Sequence, residues 1–234
     1  KRSDSLRHRY RLEIIMCAIF GSSDKEKFLE LAELNQYRGK YSNSTSAFVV
    51  NRFKSFGDSS AEHLFTQRQL GLFDDHWVKE HNEVNTTGYI TYYLGHVQAP
   101  TTDSVKTHPS NINADLLWHN GIVKDYQVKS WQHEYGHVDW DTELLHRHLL
   151  FGNDLDNVDG TFSCARYEDR YSALTLFRNE ISPLYYDEDL NISSTKFDNS
   201  KETESGVLYL MDLQKSELEP MKRFETKENP YYFG

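Results

Sequence analysis

The feature that most constrains the fold is an apolar stretch near the beginning of the chain, residues 12–21, with the sequence LEIIMCAIFG. A short apolar run that ends in glycine is typical of a buried strand. In the residues that follow, Ser23 and Glu26 form a capping-box pattern, and apolar side chains recur at helical spacing over residues 24–36. The sequence therefore predicts a strand that leads directly into a helix, with Cys17 inside the strand.

Strands and helices are mixed along the rest of the chain. Residues 88–97, GYITYYLGHV, are rich in aromatic and β-branched residues and predict a strand. Two predicted strands, 160–167 and 172–177, flank a turn and indicate a hairpin. The mixture, without a clear linker, favours one α+β domain. The other predicted segments are strands at 47–52, 115–119, 184–186 and 207–213, helices at 61–69 and 142–150, and a polar surface loop at 188–206.

Composition excludes several classes of function. The chain has 234 residues, of which 38% are hydrophobic, and this is enough for a packed core and unlike a disordered chain. The net charge of −10 argues against nonspecific binding to nucleic acid, because phosphate binding requires clustered Lys and Arg. Only the basic residues 1–11 could contact nucleic acid, and they also fit a solvated tail, a partner-bound tail or a transit segment.

The cysteines indicate the compartment. Cys17 and Cys164 cannot form a disulfide framework, which favours the reducing cytoplasm. Cys164 stands at an inward-facing position of a predicted strand and is expected to be a core residue. No apolar run approaches the ~20 residues that span a bilayer, so no association with a membrane is expected.

Short motifs around and beyond Cys17 occur in the order of one protein family. Residues 16–21, Met-Cys-Ala-Ile-Phe-Gly, resemble the Met-Cys-Gly-Ile-Phe-Gly that opens the class II glutamine amidotransferases, which include asparagine synthetase and glucosamine-6-phosphate synthase. The resemblance extends to residue 186. Seven further matches carry it: Tyr37-Arg38-Gly39, Gly95-His96-Val97-Gln98-Ala99-Pro100-Thr101, Thr107-His108-Pro109, His119-Asn120-Gly121, Asp141-Thr142-Glu143, Asp159-Gly160-Thr161-Phe162 and Pro183-Leu184-Tyr185-Tyr186.

The resemblance implies a fold and a domain organisation. The expected fold is the four-layer αββα sandwich of the N-terminal-nucleophile hydrolases, an α+β architecture with two mostly antiparallel sheets between helices. Residues 16–234 would form this single amidotransferase domain, and residues 1–15 a basic N-terminal extension or propeptide. Cys17 should lie at the end of an inner strand and face the other catalytic residues across a cleft.

The resemblance also implies a chemistry. Cys17 would attack the side-chain amide of glutamine and form a thioester, whose hydrolysis gives glutamate and ammonia. The α-amine of Cys17, with a reference pKa near ~8, would act as the base. No cofactor and no metal is implied. The remaining roles fall to seven residues: the Asn120 amide and the Gly121 N–H bind the oxyanion, Asp141 receives the substrate's α-ammonium group, Gln98 stands where the substrate carboxylate binds, Thr101 and His108 line the pocket, and Arg38 braces the nucleophile loop.

Two departures from the family pattern leave two functions open. The family has arginine where Gln98 stands, and a neutral amide cannot form an ion pair with a carboxylate, although Lys106 is a possible replacement. Sixteen residues precede Cys17, and while they remain attached its nitrogen is a peptide amide rather than a base. One interpretation is a glutaminase that passes ammonia to a separate synthetase chain, because no synthetase motif follows residue 186. The other is a noncatalytic amidotransferase-like domain used for binding or assembly.

Several of these residues also fit other structures. Residues 133–137, His-Glu-Tyr-Gly-His, match the H-E-x-x-H zinc-protease pattern, but the glycine disfavours the helix that the pattern requires, and the stretch corresponds to a loop of the family. His146 and His148 are two positions apart on a predicted helix and so point to different faces. Asn120-Gly121 is also a common hairpin turn, and Asp141 a common helix cap. The resemblance favours a site residue in the last two cases.

Overall fold

The computed structural model describes residues 17–51, 61–74, 89–99 and 106–227. These residues form thirteen strands and three α-helices. The helices are α1 (Lys25–Asn35), α2 (Asp125–Tyr135) and α3 (Asp141–Leu150). The strands are β1 (Ala18–Ser22), β2 (Ser42–Asn51), β3 (Ala61–Leu70), β4 (Tyr89–Gln98), β5 (Ser110–Ile112), β6 (Asp115–Val123), β7 (Gly160–Glu168), β8 (Ala173–Arg178), β9 (Tyr185–Tyr186), β10 (Ile192–Ser193), β11 (Lys201–Glu202), β12 (Val207–Asp212) and β13 (Glu217–Arg223).

The strands form two sheets. The first has seven strands in the order β11-β9-β10-β1-β4-β2-β3, and the second has six in the order β13-β12-β8-β7-β6-β5. All pairings between the described strands are antiparallel. The fold is therefore α+β with antiparallel sheets and few helices, and β7 and β8 form the predicted hairpin.

The buried apolar side chains form three clusters. The first contains side chains of both sheets, among them Ile19 and Leu94 of the first and Trp118 and Leu176 of the second, so the two sheets pack face to face. The second cluster joins α2 and α3 to the six-stranded sheet, and the third joins α1 to the seven-stranded sheet. Cys164 is fully buried in the second cluster, which confirms the prediction that it is a core residue.

Helix α1 begins one residue later than the capping-box pattern predicts. The Asp24 side chain, rather than that of Ser23, caps the helix and accepts a hydrogen bond from the Lys27 N–H at 2.8 Å. A carboxylate suits this position because the first turn of a helix carries partial positive charge. The helix buries Phe28 and Leu31 against the seven-stranded sheet, as its apolar spacing predicts.

The prediction of a helix at residues 61–69 is wrong, because this segment is strand β3. It pairs along its length with β2, from Ala61 opposite Val50 to Leu70 opposite Ser42. The sequence of the strand, AEHLFTQRQL, contains several strong helix formers and no regular apolar alternation. Pairing with β2 overrides this local preference, because it gives the backbone groups hydrogen-bond partners within the sheet.

Three other segments differ from the sequence predictions. Helix α2 is not predicted, since it buries only Trp131 and has a weak apolar pattern. The predicted surface loop at 188–206 contains β10 and β11, and β10 is buried where it pairs with β1. Strand β13 is not predicted either, because most of its side chains are exposed.

None of the described helices combines the length and the apolar character that crossing a membrane requires.

The zinc-protease pattern at residues 133–137 does not lie on one helix. Helix α2 ends at Tyr135, and Gly136 follows with a φ of 93°, which takes the chain out of the helix before His137. The two histidines of the pattern therefore lack the shared helical face that a metal would need. Among the described residues, no group of three or more His, Cys, Asp or Glu side chains is arranged to hold a metal ion.

Strand β6 continues through Asn120 and Gly121, so these residues form no hairpin turn. They lie opposite Ser163 and Phe162 of β7. The prediction that this strand closes at His119 is therefore wrong, because pairing with β7 keeps the backbone extended for several more residues.

Candidate active site

Cys17 lies directly before β1, the central strand of the seven-stranded sheet. The register of β1 with β4 pairs Ala18 with Val97, so Cys17 and Gln98 are the next neighbours along the two strands. Cys17 is 5% exposed, and its Sγ–H donates to the Ala99 carbonyl oxygen at 3.5 Å. The thiol is therefore buried beside the end of β4.

Burial raises the pKa of the Cys17 thiol to about 12, because a thiolate would lose its hydration there. The negative charge of Asp141 contributes to this rise, whereas the Arg38 guanidinium opposes it. The thiol is consequently protonated at neutral pH and weakly nucleophilic, since the thiolate is the attacking form.

Arg38 reaches the backbone of Cys17 from the turn that follows α1. Its Nε–H donates to the Cys17 carbonyl oxygen at 3.2 Å, while its Nη2 is buried without a hydrogen-bond partner among the described residues. The next residue, Gly39, packs so closely on β4 that an added Cβ would lie 2.6 Å from the Gln98 backbone nitrogen. Glycine at this position therefore lets the turn approach β4 and brings Arg38 to Cys17.

Gln98 is buried, and its side-chain amide is engaged at both ends. Its Nε2 donates to the Lys106 carbonyl oxygen at 3.0 Å, and its Oε1 accepts from Ser42 Oγ at 2.8 Å. His108 Nδ1 lies 3.4 Å from the same oxygen. The Lys106 ammonium group pairs with the Glu143 carboxylate. Both residues that the sequence suggests for binding a substrate carboxylate are therefore committed to contacts within the protein.

A layer of buried histidines lies next to Gln98. The rings of His96 and His108 stack with centroids 3.8 Å apart, and the Thr142 hydroxyl lies 3.2 Å from both His108 Nε2 and His119 Nδ1. Burial lowers the pKa of His96 to about 3 and that of His108 well below its usual 6.5. Both rings are therefore neutral at physiological pH and serve as hydrogen-bonding groups rather than as cations.

The Asn120 side chain points into the space between the two sheets and is fully buried. Its Nδ2 donates to Ser163 Oγ at 3.3 Å and to Ser194 Oγ at 3.2 Å. Its Oδ1 has no hydrogen-bond partner among the described residues. Ser194 Oγ also accepts from the Ile19 N–H at 3.0 Å. One hydroxyl therefore connects Asn120 to β1, two residues after Cys17.

Gly121 permits a contact that a side chain would prevent. A Cβ added there would lie 1.9 Å from the Thr161 carbonyl oxygen and 2.8 Å from Phe162 Cα. We expect Gly121→Ala to destabilise the protein by at least the ~1–3 kcal/mol typical of an overpacked core, and so to lower its melting temperature by about 2–12 °C. The control is Gly136→Ala, whose Cβ would meet no atom within 4 Å and whose cost comes from its φ of 93° alone. A smaller fall for Gly121→Ala than for the control would contradict the prediction.

Asp141 joins the beginning of α3 to the end of β6. Its Oδ2 accepts from the Val123 N–H at 3.0 Å, and its Oδ1 accepts from the Thr142 N–H at 2.8 Å. The N-cap residue of α3 is Trp140, so Asp141 is not the helix cap that the sequence predicts. The carboxylate binds β6 instead and remains close enough to influence the pKa of Cys17.

Most of the residues predicted for the site lie in one region of the molecule. They come from the position before β1, the turn after α1, the end of β4, the segment before β5, β6 and the beginning of α3, which are far apart in sequence. Thr101 lies outside the described residues. The positions found are Cys17, Arg38 and Gln98 around the end of β4, His108 in contact with Gln98, Asp141 within electrostatic reach of Cys17, and Asn120 with Gly121 on the facing sheet.

Three residues of this region are not predicted from the sequence: Ser163, Ser194 and Thr142. Ser163 lies on the same face of β7 as the apolar residues Ala165 and Tyr167, and a polar residue at such a position is the signal that could have identified it. Ser194 belongs to a run of hydroxyl residues at 193–195, and such a run is also typical of the polar surface loop predicted there, so it gives no signal of a site residue. Thr142 follows Asp141 inside a motif and gives no separate signal.

Comparisons with known proteins give a likeness of fold. No protein-family model matches the chain, and no curated protein matches its sequence. Among solved structures, the chain is similar to glutamine phosphoribosylpyrophosphate amidotransferase from B. subtilis, complexed with ADP and GMP, with a TM-score of 0.58 and 15% identity. The match covers 89% of this chain and 48% of that protein, so the chain spans about half the length of its structural relative. At this identity the likeness shows the fold, which resembles that of a glutamine amidotransferase.

Proposed function

We propose that this chain carries a glutamine-hydrolysing site of the class II amidotransferase type, with Cys17 as a nucleophile that is latent until it becomes the first residue. The fold likeness and the ordered motifs between residues 16 and 186 support this function. We further propose that the architecture is the four-layer αββα sandwich. The three core clusters support it, because they successively join helix to sheet, sheet to sheet and sheet to helices.

The observation that carries the proposal is the hydrogen-bonded connection between Asn120 and the strand that follows Cys17. Ser194 accepts from both the Ile19 N–H and the Asn120 amide, and its own N–H donates to the Ile19 carbonyl oxygen at 2.8 Å. A nucleophile and an oxyanion donor must keep a fixed separation, because the oxyanion forms at the carbon that the nucleophile attacks. The connection through Ser194 provides such a fixed separation between the two facing sheets.

The first half of the proposed reaction forms a thioester. After residues 1–16 are removed, the free α-amine of Cys17 takes the thiol proton, and the sulfur attacks the side-chain amide carbon of glutamine. The C–N bond then breaks, and ammonia leaves with a proton returned by the amine. In the orientation described, the Asn120 NH₂ group binds Ser163 and Ser194. After a half-turn of the amide, this NH₂ group and the Gly121 backbone N–H would stabilise the negative oxygen of the tetrahedral intermediate.

The second half of the reaction consumes one water molecule. Water attacks the thioester carbon, the C–S bond breaks, and glutamate leaves, so that glutamine and water give glutamate and ammonia. Asp141 would hold the substrate's α-ammonium group, because its carboxylate is buried and keeps lone pairs beyond the two N–H groups it binds. The structural relative is a glutamine amidotransferase, and this supports glutamine as the substrate. A separate synthetase chain would accept the ammonia.

The second candidate function is a noncatalytic domain used for binding or assembly. The observation that favours it is the engagement of Gln98 with Ser42 and the Lys106 backbone, together with the pairing of Lys106 to Glu143. With these groups committed, the buried Nη2 of Arg38, whose Nε–H already binds the Cys17 carbonyl oxygen, would have to bind the substrate carboxylate. Loss of one charged hydrogen bond costs roughly 1.5–3 kcal/mol, or about 10–100-fold in affinity.

The experiment that tests the proposed function is an assay of glutamine hydrolysis by protein that begins at Cys17. We expect release of glutamate and ammonia, and we expect Asn120→Ala to lower kcat by ~10²–10³-fold, because one oxyanion donor is removed. Asn111→Ala is the matched control, since this asparagine lies on β5, outside the site. Absence of hydrolysis in the parent protein would favour the noncatalytic function, and equal rates for the parent and Asn120→Ala would exclude Asn120 as an oxyanion donor.

A further inference from the structure

The Asn120 amide is held by two serine hydroxyls that come from different sheets. Ser163 lies opposite Asn120 on β7 of the six-stranded sheet, and Ser194 directly follows β10 of the seven-stranded sheet. Both serines are at most 1% exposed, and their Oγ atoms lie 3.3 and 3.2 Å from Asn120 Nδ2. The amide is therefore fixed from both sides of the space between the sheets.

The two serines are themselves fixed. Ser163 is part of a strand that pairs on both sides, with β6 and with β8. Ser194 bonds both backbone groups of Ile19, accepting from its N–H at 3.0 Å and donating to its carbonyl oxygen at 2.8 Å. Movement of Asn120 relative to β1 would therefore require breaking hydrogen bonds in the sheet that carries Cys17.

One polar atom of Asn120 is left without a partner. Its Oδ1 is buried and makes no hydrogen bond among the described residues, which typically costs ~1–3 kcal/mol. Unpaired buried polar atoms are rare in protein cores, and a role in catalysis is one recognised explanation for them. The unpaired end of the Asn120 amide is consistent with such a role.

Hydroxyl groups suit this position because they both donate and accept hydrogen bonds. In the orientation described, the serine oxygens accept from Nδ2. After a half-turn of the amide, the same hydroxyls donate to Oδ1, and the NH₂ group takes the unpaired position that Oδ1 held. Backbone carbonyl or N–H groups in place of Ser163 and Ser194 would support only one of these orientations.

We propose that Ser163 and Ser194 are the positioning residues of Asn120, which hold its amide so that an N–H can be presented to the oxygen that becomes negative during the reaction. This role rests on the proposed function, because it concerns the same site. It adds two residues that act through Asn120 and make no contact with the reacting atoms.

The kinetic test uses the form of the protein that begins at Cys17 and measures its hydrolysis of glutamine. We expect Ser194→Ala to lower kcat about 10–100-fold while KM is unchanged, because a displaced oxyanion donor affects the transition state and not the binding of glutamine. Ser194→Thr, which keeps the hydroxyl, should restore most of kcat. In an Asn120→Ala background, Ser194→Ala should have no further effect on kcat. A rise of KM with kcat unchanged, or additive losses in the double variant, would overturn the proposal.

A second readout requires no activity and uses the full chain labelled with ¹⁵N in its asparagine side chains. The Asn120 signals are assigned by their loss in Asn120→Ala. We expect Ser163→Ala and Ser194→Ala each to shift the Asn120 side-chain resonances, because each hydroxyl binds one end of the amide in both orientations. Ser182→Ala, which removes a buried hydroxyl that makes no hydrogen bond among the described residues, should shift neither. If an alanine variant fails to fold, the corresponding cysteine variant gives the same readout.

The two readouts separate the failure of this proposal from the failure of the proposed function. Asn120 resonances that stay in place in the folded serine variants would show that these hydroxyls do not hold the amide, whatever the activity. A parent protein without hydrolysis would reject the proposed function, and the resonance shifts would then decide alone whether Ser163 and Ser194 fix Asn120.

Discussion

Protein that retains residues 1–16 is expected to gain no adduct from the glutamine analogue 6-diazo-5-oxo-norleucine, whereas protein that begins at Cys17 should gain one. In the longer protein, burial holds the pKa of the Cys17 thiol at about 12. Only about one thiol in 10⁵ is then ionised at pH 7. In the shorter protein, an α-amine with a pKa near ~8 lies next to the thiol and can accept its proton. Intact-protein mass spectrometry measures both the first residue and the number of adducts.

Two controls make this result specific for Cys17. Cys17→Ala in the shorter protein should prevent the adduct without changing the fold. Cys164 should remain unlabelled in every sample, because burial raises its pKa and it lies in the core. An adduct on the longer protein would contradict the latency of Cys17. No adduct on the shorter protein would favour the noncatalytic function, for which binding of a partner should survive Cys17→Ala and be lost on removal of residues 1–11.

The protein is expected to lose much of its stability between pH 6.5 and pH 5. Burial lowers the pKa of His96 and His146 to about 3 and that of His108 well below 6.5, and the charge of Arg166 also lowers that of His146. These rings stay neutral in the folded protein, while the unfolded chain binds protons below about pH 6.5. Their contribution to stability is therefore complete above pH 6.5 and is lost as the pH falls. His96 and His146 each contribute ~1.4 kcal/mol per pH unit, or roughly 4 kcal/mol together at pH 5, and the lowered pKa of His108 adds to this loss.

This loss is comparable with the ~5–15 kcal/mol by which native proteins are stable, so partial unfolding near pH 5 is expected. Urea unfolding at pH 7.5, 6 and 5 measures the free energy directly. His146→Gln should reduce its dependence on pH by about a third, whereas His137→Gln should leave it unchanged, since the His137 side chain is 79% exposed. A free energy of unfolding that is constant over this range would show that these histidines are protonated in the folded protein.

Local sequence patterns correctly predict an element when its apolar pattern matches the way the element is buried in the fold. The apolar spacing of α1 and the aromatic and β-branched residues of β4 correspond to one buried helix face and one inner strand. β3 and β13 are different, because they lie at the edges of the two sheets and have mostly polar or exposed side chains. Their structure depends on pairing with a neighbour, and this information is not contained in their own sequences.

The residues of the candidate site also fall into two groups, those that sequence motifs identify and those that they do not. Cys17, Arg38, Asn120 and Gly121 are found from motifs because each lies in a short stretch of fixed order. Ser194 is not, because its role depends on contact with Ile19 and Asn120, which are distant in sequence. The engagement of the Gln98 amide could not be predicted either, since its partners come from β2 and from the backbone of Lys106.

The position of β1 between β4 and β10 also determines when its surroundings can form during synthesis. Ile19 and Ser194, whose hydrogen bonds attach β1 to the segment after β10, are 175 positions apart in sequence. At about 5–20 residues per second, a ribosome needs roughly 10–35 seconds to extend the chain from one to the other. Contacts between such distant residues form slowly, because a long loop must close first. The strand that follows Cys17 therefore cannot pair with β10 until β10 has been synthesised. The candidate site is consequently among the last parts of the described structure to assemble.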